Sequence, residues 1–292
     1  MTVDRRDFLK MSGAGLGGLA LSSYGSSNGA LHNPESDDDH SVLYDATICV
    51  GCKACQVACK RRSNLPPDLD SEGIFDAPTG LTADSWTVIE LYQEDPTTFS
   101  FVKKQCMHCI DPACVSGCIV AALYKTEDGP VLYDGDKCIG CRWCMTACPF
   151  QVPKYQWDKT VPFVQKCDFC ADRQDEGLDT SCVASCPTGA LMSGKRGELL
   201  EVAEKRIKDF PDRYVNHLYG KDEVGGTSWL YLAGVAFDKL GLPKPEKLGT
   251  ISPAQLTWPY MKAVPGLAVF MVGLCTGLYY YFRRGEKTGE EA

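Results

Sequence analysis

At 292 residues the chain suffices for one large or two modest domains. Its net charge of −8 argues against nucleic acid as a partner, which selects a basic face. Four histidines spread along the chain leave few candidates for acid–base catalysis, and no Gly-rich phosphate loop, G-x-S-x-G elbow or H-E-x-x-H helix occurs.

The N-terminal Asp4-Arg5-Arg6-Asp7-Phe8-Leu9-Lys10 leads into a Gly-rich, mildly apolar run from Met11 to about Tyr24. Residues 1–32 therefore read as a twin-arginine export signal, with a weakly defined small-residue cleavage site near Ser27–Leu31. Residues 33–41, with Asp37, Asp38 and Asp39, read as an acidic linker.

The folded region is expected over residues 42–197. Val42-Leu43-Tyr44-Asp45 suits a short strand and leads into Cys49, Cys52, Cys55 and Cys59. Val131-Leu132-Tyr133-Asp134 leads in the same way into Cys138, Cys141, Cys144 and Cys148. The two passages share VLYD-x3-C-[V/I]-G-C-[K/R]-x-C at an offset of 89 residues, an internal repeat. A second pair repeats as well. Cys106, Cys109, Cys114 and Cys118 precede Ala122-Leu123, and Cys167, Cys170, Cys182 and Cys186 precede Ala190-Leu191. Between the first and second groups, Leu65 to Pro78 reads as loop, while Trp86–Tyr92 and Phe99–Val102 have strand composition. Thr126-Glu127-Asp128-Gly129 reads as a turn that begins a hairpin, which makes the second and third groups natural neighbours.

Sixteen of the seventeen cysteines thus fall into four groups of four, and only Cys275 stands apart. The run Cys138 to Pro149 is C-x2-C-x2-C-x3-C-P, the pattern that holds cubane iron–sulfur clusters in bacterial ferredoxins. Disulfides are permitted by an exported location, but C-x2-C spacing makes poor long-range staples. Structural zinc explains separated C-x2-C pairs, not third and fourth cysteines at x2 and x3 spacing or the prolines after Cys148 and Cys186. Four [4Fe–4S] clusters use all sixteen. The fourth cysteine of a group ligates its neighbour's cluster in two-cluster ferredoxins. That rule gives the sets Cys106/Cys109/Cys114/Cys148 and Cys118/Cys138/Cys141/Cys144. It also gives Cys49/Cys52/Cys55/Cys186 and Cys59/Cys167/Cys170/Cys182. No group lacks a cysteine, so no three-iron cluster is expected. Lys53, Lys60, Lys137, Arg142 and Lys166 lie beside ligands, where positive charge raises a cluster's potential; each reads equally well as a solvated surface cation. His108 reads as a structural hydrogen-bond donor rather than a ligand.

Downstream, Glu198 to Asp209 is a helix candidate, and the apolar run Trp229–Phe237 is expected to pack on the ferredoxin body or on another subunit. Residues 198–257 are read as a C-terminal extension. Ala263 to Phe282 is free of charge and long enough to cross a bilayer as a helix. Trp258, Tyr260 and Tyr279 to Phe282 suit its interfaces, and Arg283-Arg284 place the C-terminus in the cytoplasm. The transmembrane helix is set at 258–284 and a cytoplasmic tail at 285–292. Gly273-x3-Gly277 permits close approach of another helix, with Cys275 between as a small packing residue.

The whole is expected to be an α+β fold: two bacterial-ferredoxin-like two-cluster modules in pseudo-repeat, plus one C-terminal transmembrane helix. The four groups resemble those of the four-cluster iron–sulfur subunits of membrane oxidoreductases. These include the β subunit of membrane-bound formate dehydrogenase and the HybA-type subunit of nickel–iron hydrogenase. Lys103-Lys104-Gln105-Cys106-Met107-His108-Cys109-Ile110-Asp111-Pro112, Val152-Pro153-Lys154-Tyr155 and His217-Leu218-Tyr219-Gly220 look most like the HybA type. Ile119 departs from the family's proline at that place.

The resemblance implies a non-catalytic electron-transfer subunit. It would relay electrons through four [4Fe–4S] clusters from a periplasmic catalytic subunit to an integral membrane quinone-reacting partner. The catalytic subunit would be a nickel–iron hydrogenase or, alternatively, a molybdopterin or tungstopterin enzyme such as formate dehydrogenase. It further implies a single pass through the cytoplasmic membrane's lipid bilayer, with the clusters on the periplasmic side and no catalytic residue.

Overall fold

The apolar run Val42–Tyr44 has two faces to bury, and it becomes the centre of a three-stranded sheet. The computed structural model describes residues 38–68, 80–95 and 98–289, so the export signal lies outside the described residues, as does most of the expected linker. The linker's last residues do not behave as one. Strand β1 (His40–Asp45) already begins at His40, and Asp39 is buried against Lys125 at 2.8 Å.

Helix α1 (Ala54–Arg62) follows the first cysteine pair, and β2 (Val88–Gln93) and β3 (Phe99–Lys104) form an antiparallel hairpin. After α2 (Ala113–Ser116), β4 (Leu123–Lys125) and β5 (Val131–Tyr133) make the hairpin expected around Gly129. Next come α3 (Trp143–Ala147), the short hairpin of β6 (Lys154–Tyr155) and β7 (Val164–Gln165), α4 (Ala171–Asp175) and α5 (Ser181–Ala184). Strand β8 (Leu191–Lys195), α6 (Arg196–Asp209), β9 (Trp229–Leu232), α7 (Pro245–Leu248) and α8 (Pro253–Gly289) complete the order.

In the main sheet β1 pairs with β8 antiparallel and with β9 parallel. Side chains alternate between the two faces of a strand, so Leu43, Leu230 and Leu232 lie under α6 against Leu199 and Ala203. Val42, Tyr44, Trp229 and Tyr231 face the other way, into the cluster of apolar residues that includes Cys55 and Cys182. The run from Trp229 therefore joins the body's central sheet as a paired strand.

The two VLYD passages share a register as well as a sequence. Tyr44 in β1 lies opposite Leu191, and Tyr133 in β5 lies opposite Leu123. In both places a strand leading into one cysteine group pairs with the strand leaving another. The two aspartates differ. Asp134 is half-exposed, accepts from Asp136 N–H and pairs with Lys137 at 2.9 Å. Asp45 is 1 % exposed and accepts from Thr47, from Arg206 at 3.0 Å and from Tyr214 Oη at 2.7 Å. It thereby fastens the end of α6 and the following loop to β1.

Helix α8 opens with Pro253 at its first turn, where a missing N–H costs nothing. Ser252 Oγ accepts from Gln255 N–H at 3.1 Å, as a helix cap does, and donates to Asp111. Helix α8 packs at its start against α2. It has 37 residues, about 55 Å at 1.5 Å per residue, and so outreaches a hydrocarbon core of about 30 Å. Among the described residues it alone is long and apolar enough to cross a membrane, and none of its apolar window is buried. Val264, Leu267, Phe270, Met271 and Val272 point outward.

Asp45→Ala removes the acceptor of Arg206 and Tyr214 at once. It is expected to cost about 3 kcal/mol, seen as a fall in the temperature at which α6 and the sheet unfold together by circular dichroism.

Candidate metal centre

Each group begins with C-x2-C, and each such turn bends the same way. The third residue of the turn has a positive φ in all four: Gly51 (66°), His108 (45°), Gly140 (71°) and Phe169 (61°). This bend aims a backbone N–H back at the first sulfur: Gly51 N to Cys49 Sγ at 3.5 Å, Gly140 N to Cys138 Sγ at 3.4 Å and Phe169 N to Cys167 Sγ at 3.4 Å. An N–H aimed at sulfur favours the thiolate, the form that binds metal. Gly51 has a second reason to be glycine, since a Cβ there would meet Phe101 Cε1 at 2.3 Å. His108 and Phe169 occupy the same backbone region at some cost, and they stack on each other with ring centroids 4.5 Å apart.

Cys49, Cys52, Cys55 and Cys186 line one recess enclosing about 310 Å³, with Tyr44, Lys53 and Pro187. Cys118, Cys138, Cys141 and Cys144 line another of about 340 Å³, with Tyr133, Ile139 and Arg142. Of the other eight cysteines, six are buried and Cys109 and Cys148 are partly so, and they act electrostatically on their neighbours. Cys59 neighbours Cys182 and Cys170, and Cys167 neighbours Cys59 and Cys170. Cys109 neighbours Cys148, Cys114 and Cys106. These neighbours lie within the expected sets, but couplings also run between sets, from Cys55 to Cys182, Cys167 to Cys106 and Cys114 to Cys144.

Burial is the main force on these thiols. It pushes Cys55 and Cys59 up to about 12, with neighbouring cysteines adding to the shift and Lys103 opposing it. Burial likewise raises Cys144 and Cys148 to about 11, and Cys109 and Cys167 well above the ordinary thiol range. Cys186 goes the other way. Burial would raise it, but hydrogen bonds from Leu191, Thr188 and Ala190 outweigh that and hold it below the usual value.

No two cysteines among the described residues are joined in a disulfide. Among the described residues no three His, Cys, Asp or Glu side chains converge closely enough for a single metal ion. Four sulfurs around a recess, too far apart for one ion and with no oxygen or imidazole donor, fit a cubane [4Fe–4S] group. Because iron binds thiolate, loading these raised thiols must release protons.

The five cations flagged from sequence separate on inspection. Lys60 pairs with Asp68 at 2.6 Å and Lys137 with Asp134, so both are neutralised locally. Arg142 lies over Trp157 at 4.4 Å. Lys53 and Lys166 are buried, the latter donating to the carbonyls of Val131 and Cys167. His108 Nδ1 accepts from Val131 N–H at 2.9 Å, and burial pushes its pKa well down, so the ring is neutral and keeps its other nitrogen as a donor, in keeping with the structural role expected of it. Lys103 escaped the sequence reading as a site residue; it is 1 % exposed and faces Cys55 and Cys59. The available signal was Lys103-Lys104 in a strand, where consecutive side chains face opposite ways and one of the two must turn inward.

A 4Fe-4S dicluster domain family matches residues 97–196, which hold the second, third and fourth groups. A Nitratidesulfovibrio vulgaris protein is 40 % identical over 99 % of this chain and 80 % of its own. The hydrogenase-2 operon protein HybA of Escherichia coli O157:H7 is 34 % identical over 85 % of this chain and 86 % of its own. The formate dehydrogenase-O iron-sulfur subunit of Escherichia coli K12 is 33 % identical over 90 % and 91 %. The chain belongs to the HybA and formate dehydrogenase iron–sulfur subunit family. This is a family of iron–sulfur electron-transfer subunits of oxidoreductase complexes, and the ferredoxin-like dicluster domain is its common part.

Gly51→Ala is expected to lower bound iron by about one cluster's worth, about four atoms per chain, because the added Cβ strikes Phe101. Gly177→Ala, at a similar φ of 71° but in open space, is expected to leave iron content unchanged by colorimetric assay.

Proposed function

We propose that this chain relays electrons through four [4Fe–4S] clusters between a periplasmic hydrogenase catalytic subunit and a membrane quinone-reacting subunit. The proposed ligand sets are Cys49/Cys52/Cys55/Cys186, Cys59/Cys167/Cys170/Cys182, Cys106/Cys109/Cys114/Cys148 and Cys118/Cys138/Cys141/Cys144. The matched registers of β1–β8 and β4–β5 support reading them as two ferredoxin-like halves. When bound, each cluster supplies one-electron outer-sphere transfer; the chain's residues hold, space and tune.

One observation carries the relay: sulfurs of successive sets are electrostatic neighbours. Cys55 reaches Cys182, Cys167 reaches Cys106, and Cys114 reaches Cys144. These couplings support arranging the four sets in a row. Its two ends are the places where a ligand is exposed: Cys52, near exposed Val50 and Val57, and Cys141, near exposed Ile139 and Trp143. Helix α2 carries Cys114 and touches the apolar α8. The Cys141 end is accordingly assigned to the membrane partner and the Cys52 end to the catalytic subunit.

The hydrogenase reading rests on the HybA relative and on the HybA-like runs around Cys106 and His217. The N-terminal twin arginines support periplasmic placement, residues 258–284 the single pass, and Arg283-Arg284 a cytoplasmic C-terminus. The formate dehydrogenase relatives favour a second reading, the same relay beside a molybdopterin or tungstopterin enzyme. Purified with its native partners, the complex is expected to contain nickel; molybdenum or tungsten in its place overturns the hydrogenase assignment. Iron and acid-labile sulfide are each expected at about sixteen per chain.

Cys141→Ser is expected to alter one electron paramagnetic resonance signal and to stop quinone reduction. The catalytic subunit should still reduce the three remaining clusters. Truncation before Pro253 is expected to move the chain from the membrane to the soluble fraction, read by immunoblot.

A further inference from the structure

Strand β3 puts two adjacent lysines on opposite sides of the hairpin. Lys104 points outward and pairs with Glu90 at 2.5 Å. Lys103 points inward and is 1 % exposed. Its Nζ donates to Thr87 Oγ1 at 2.6 Å and to Gln105 Oε1 at 2.9 Å, and it stands 4.4 Å from the centre of the Trp229 ring. Every one of these partners is neutral, and among the described residues Lys103 forms no ion pair. A buried ammonium without a counter-charge costs several kcal/mol, so an anion must face it. The candidates are sulfurs. Cys55 and Cys182 pack in the same buried cluster as the Trp229 ring over which Lys103 stands, and the charge of Lys103 acts on Cys55 and Cys59. Cys55 belongs to the first proposed set and Cys59 to the one next in the row. Around it, Tyr231 Oη donates to Lys103 O at 2.9 Å and accepts from Gln105 Nε2 at 2.5 Å, so the strand and the amide are both fixed.

We propose that Lys103 is the counter-cation shared by the cluster of Cys49, Cys52, Cys55 and Cys186 and the cluster of Cys59, Cys167, Cys170 and Cys182. Its charge holds both at a higher reduction potential than their thiolates alone set. The inference rests on the four-cluster reading. An electron arriving on either cluster adds negative charge next to a fixed positive one, so the reduced form gains more than the oxidised form. Sharing one cation moves the two potentials in the same direction together. Lys166 has the matching place one junction further along, buried between the carbonyls of Val131 and Cys167 and within reach of Cys114.

The test is a redox titration of the purified complex followed by electron paramagnetic resonance, on the wild type and on Lys103→Met, Lys103→Gln and Lys103→Arg. With Met or Gln, two of the four midpoint potentials are expected to fall. At their wild-type midpoints the reduced-to-oxidised ratio should drop by about tenfold, the size of effect one charge exerts inside a partly polar protein. Arg should leave them near wild type, and Lys166→Met should lower a different pair that shares one member with the first. Unchanged potentials, or an equal shift of all four, overturn the proposal. So does loss of iron from all three Lys103 variants, charge kept or not; loss from Met and Gln alone supports it. Wild-type iron well below about sixteen per chain instead overturns the four-cluster reading.

Discussion

Sulfur that is to hold iron must be a thiolate, and here several such sulfurs are packed where a thiolate is expensive. Burial lifts Cys55 and Cys59 to about 12 and Cys109 and Cys167 well beyond the ordinary range. The fold makes up part of that cost with fixed dipoles and cations. Left-handed turns direct N–H groups at Cys49, Cys138 and Cys167. Lys103 and Lys166 supply charge from inside. The rest has to come from iron itself, which displaces the protons. A protein built this way is poised for its metal and has little reason to be stable without it.

The same constraint explains the tertiary arrangement. Each proposed set takes three sulfurs from one stretch and a fourth from another, so strands must bring distant stretches side by side. Sheet β8–β1–β9 does this for Cys186 and the Cys49 group, and hairpin β4–β5 does it for Cys118 and the Cys138 group. The second and fourth groups lack glycine at the critical turn position. There His108 and Phe169 stack instead, so the strain of two backbones is met by one contact that also joins neighbouring sets.

Much of this was legible in the chain as written. Spacing alone defines the cysteine groups because ligand geometry is local, and the VLYD repeat located both lead-in strands. The hairpin at Gly129 and the helix ending at Asp209 follow from turn residues and apolar period. What sequence concealed is long-range. The parallel pairing of Val42 with Trp229 joins residues far apart in the chain, and nothing in Trp229–Phe237 distinguishes a central strand from a docking surface. Lys103 hid beside Lys104 because composition does not say which of two adjacent side chains turns inward. The acceptor role of His108 depends on Val131, which only the hairpin brings near.

Strand β9 lies just ahead of the apolar helix, yet it closes the sheet on the strand that opens the fold. A ribosome must therefore complete almost the entire polypeptide before β1 gains its second neighbour. Until then the edge of β1 that β9 covers has no partner strand. At the start of α8, Ser252 donates to Asp111, so a pull on that helix is felt beside the second cysteine group.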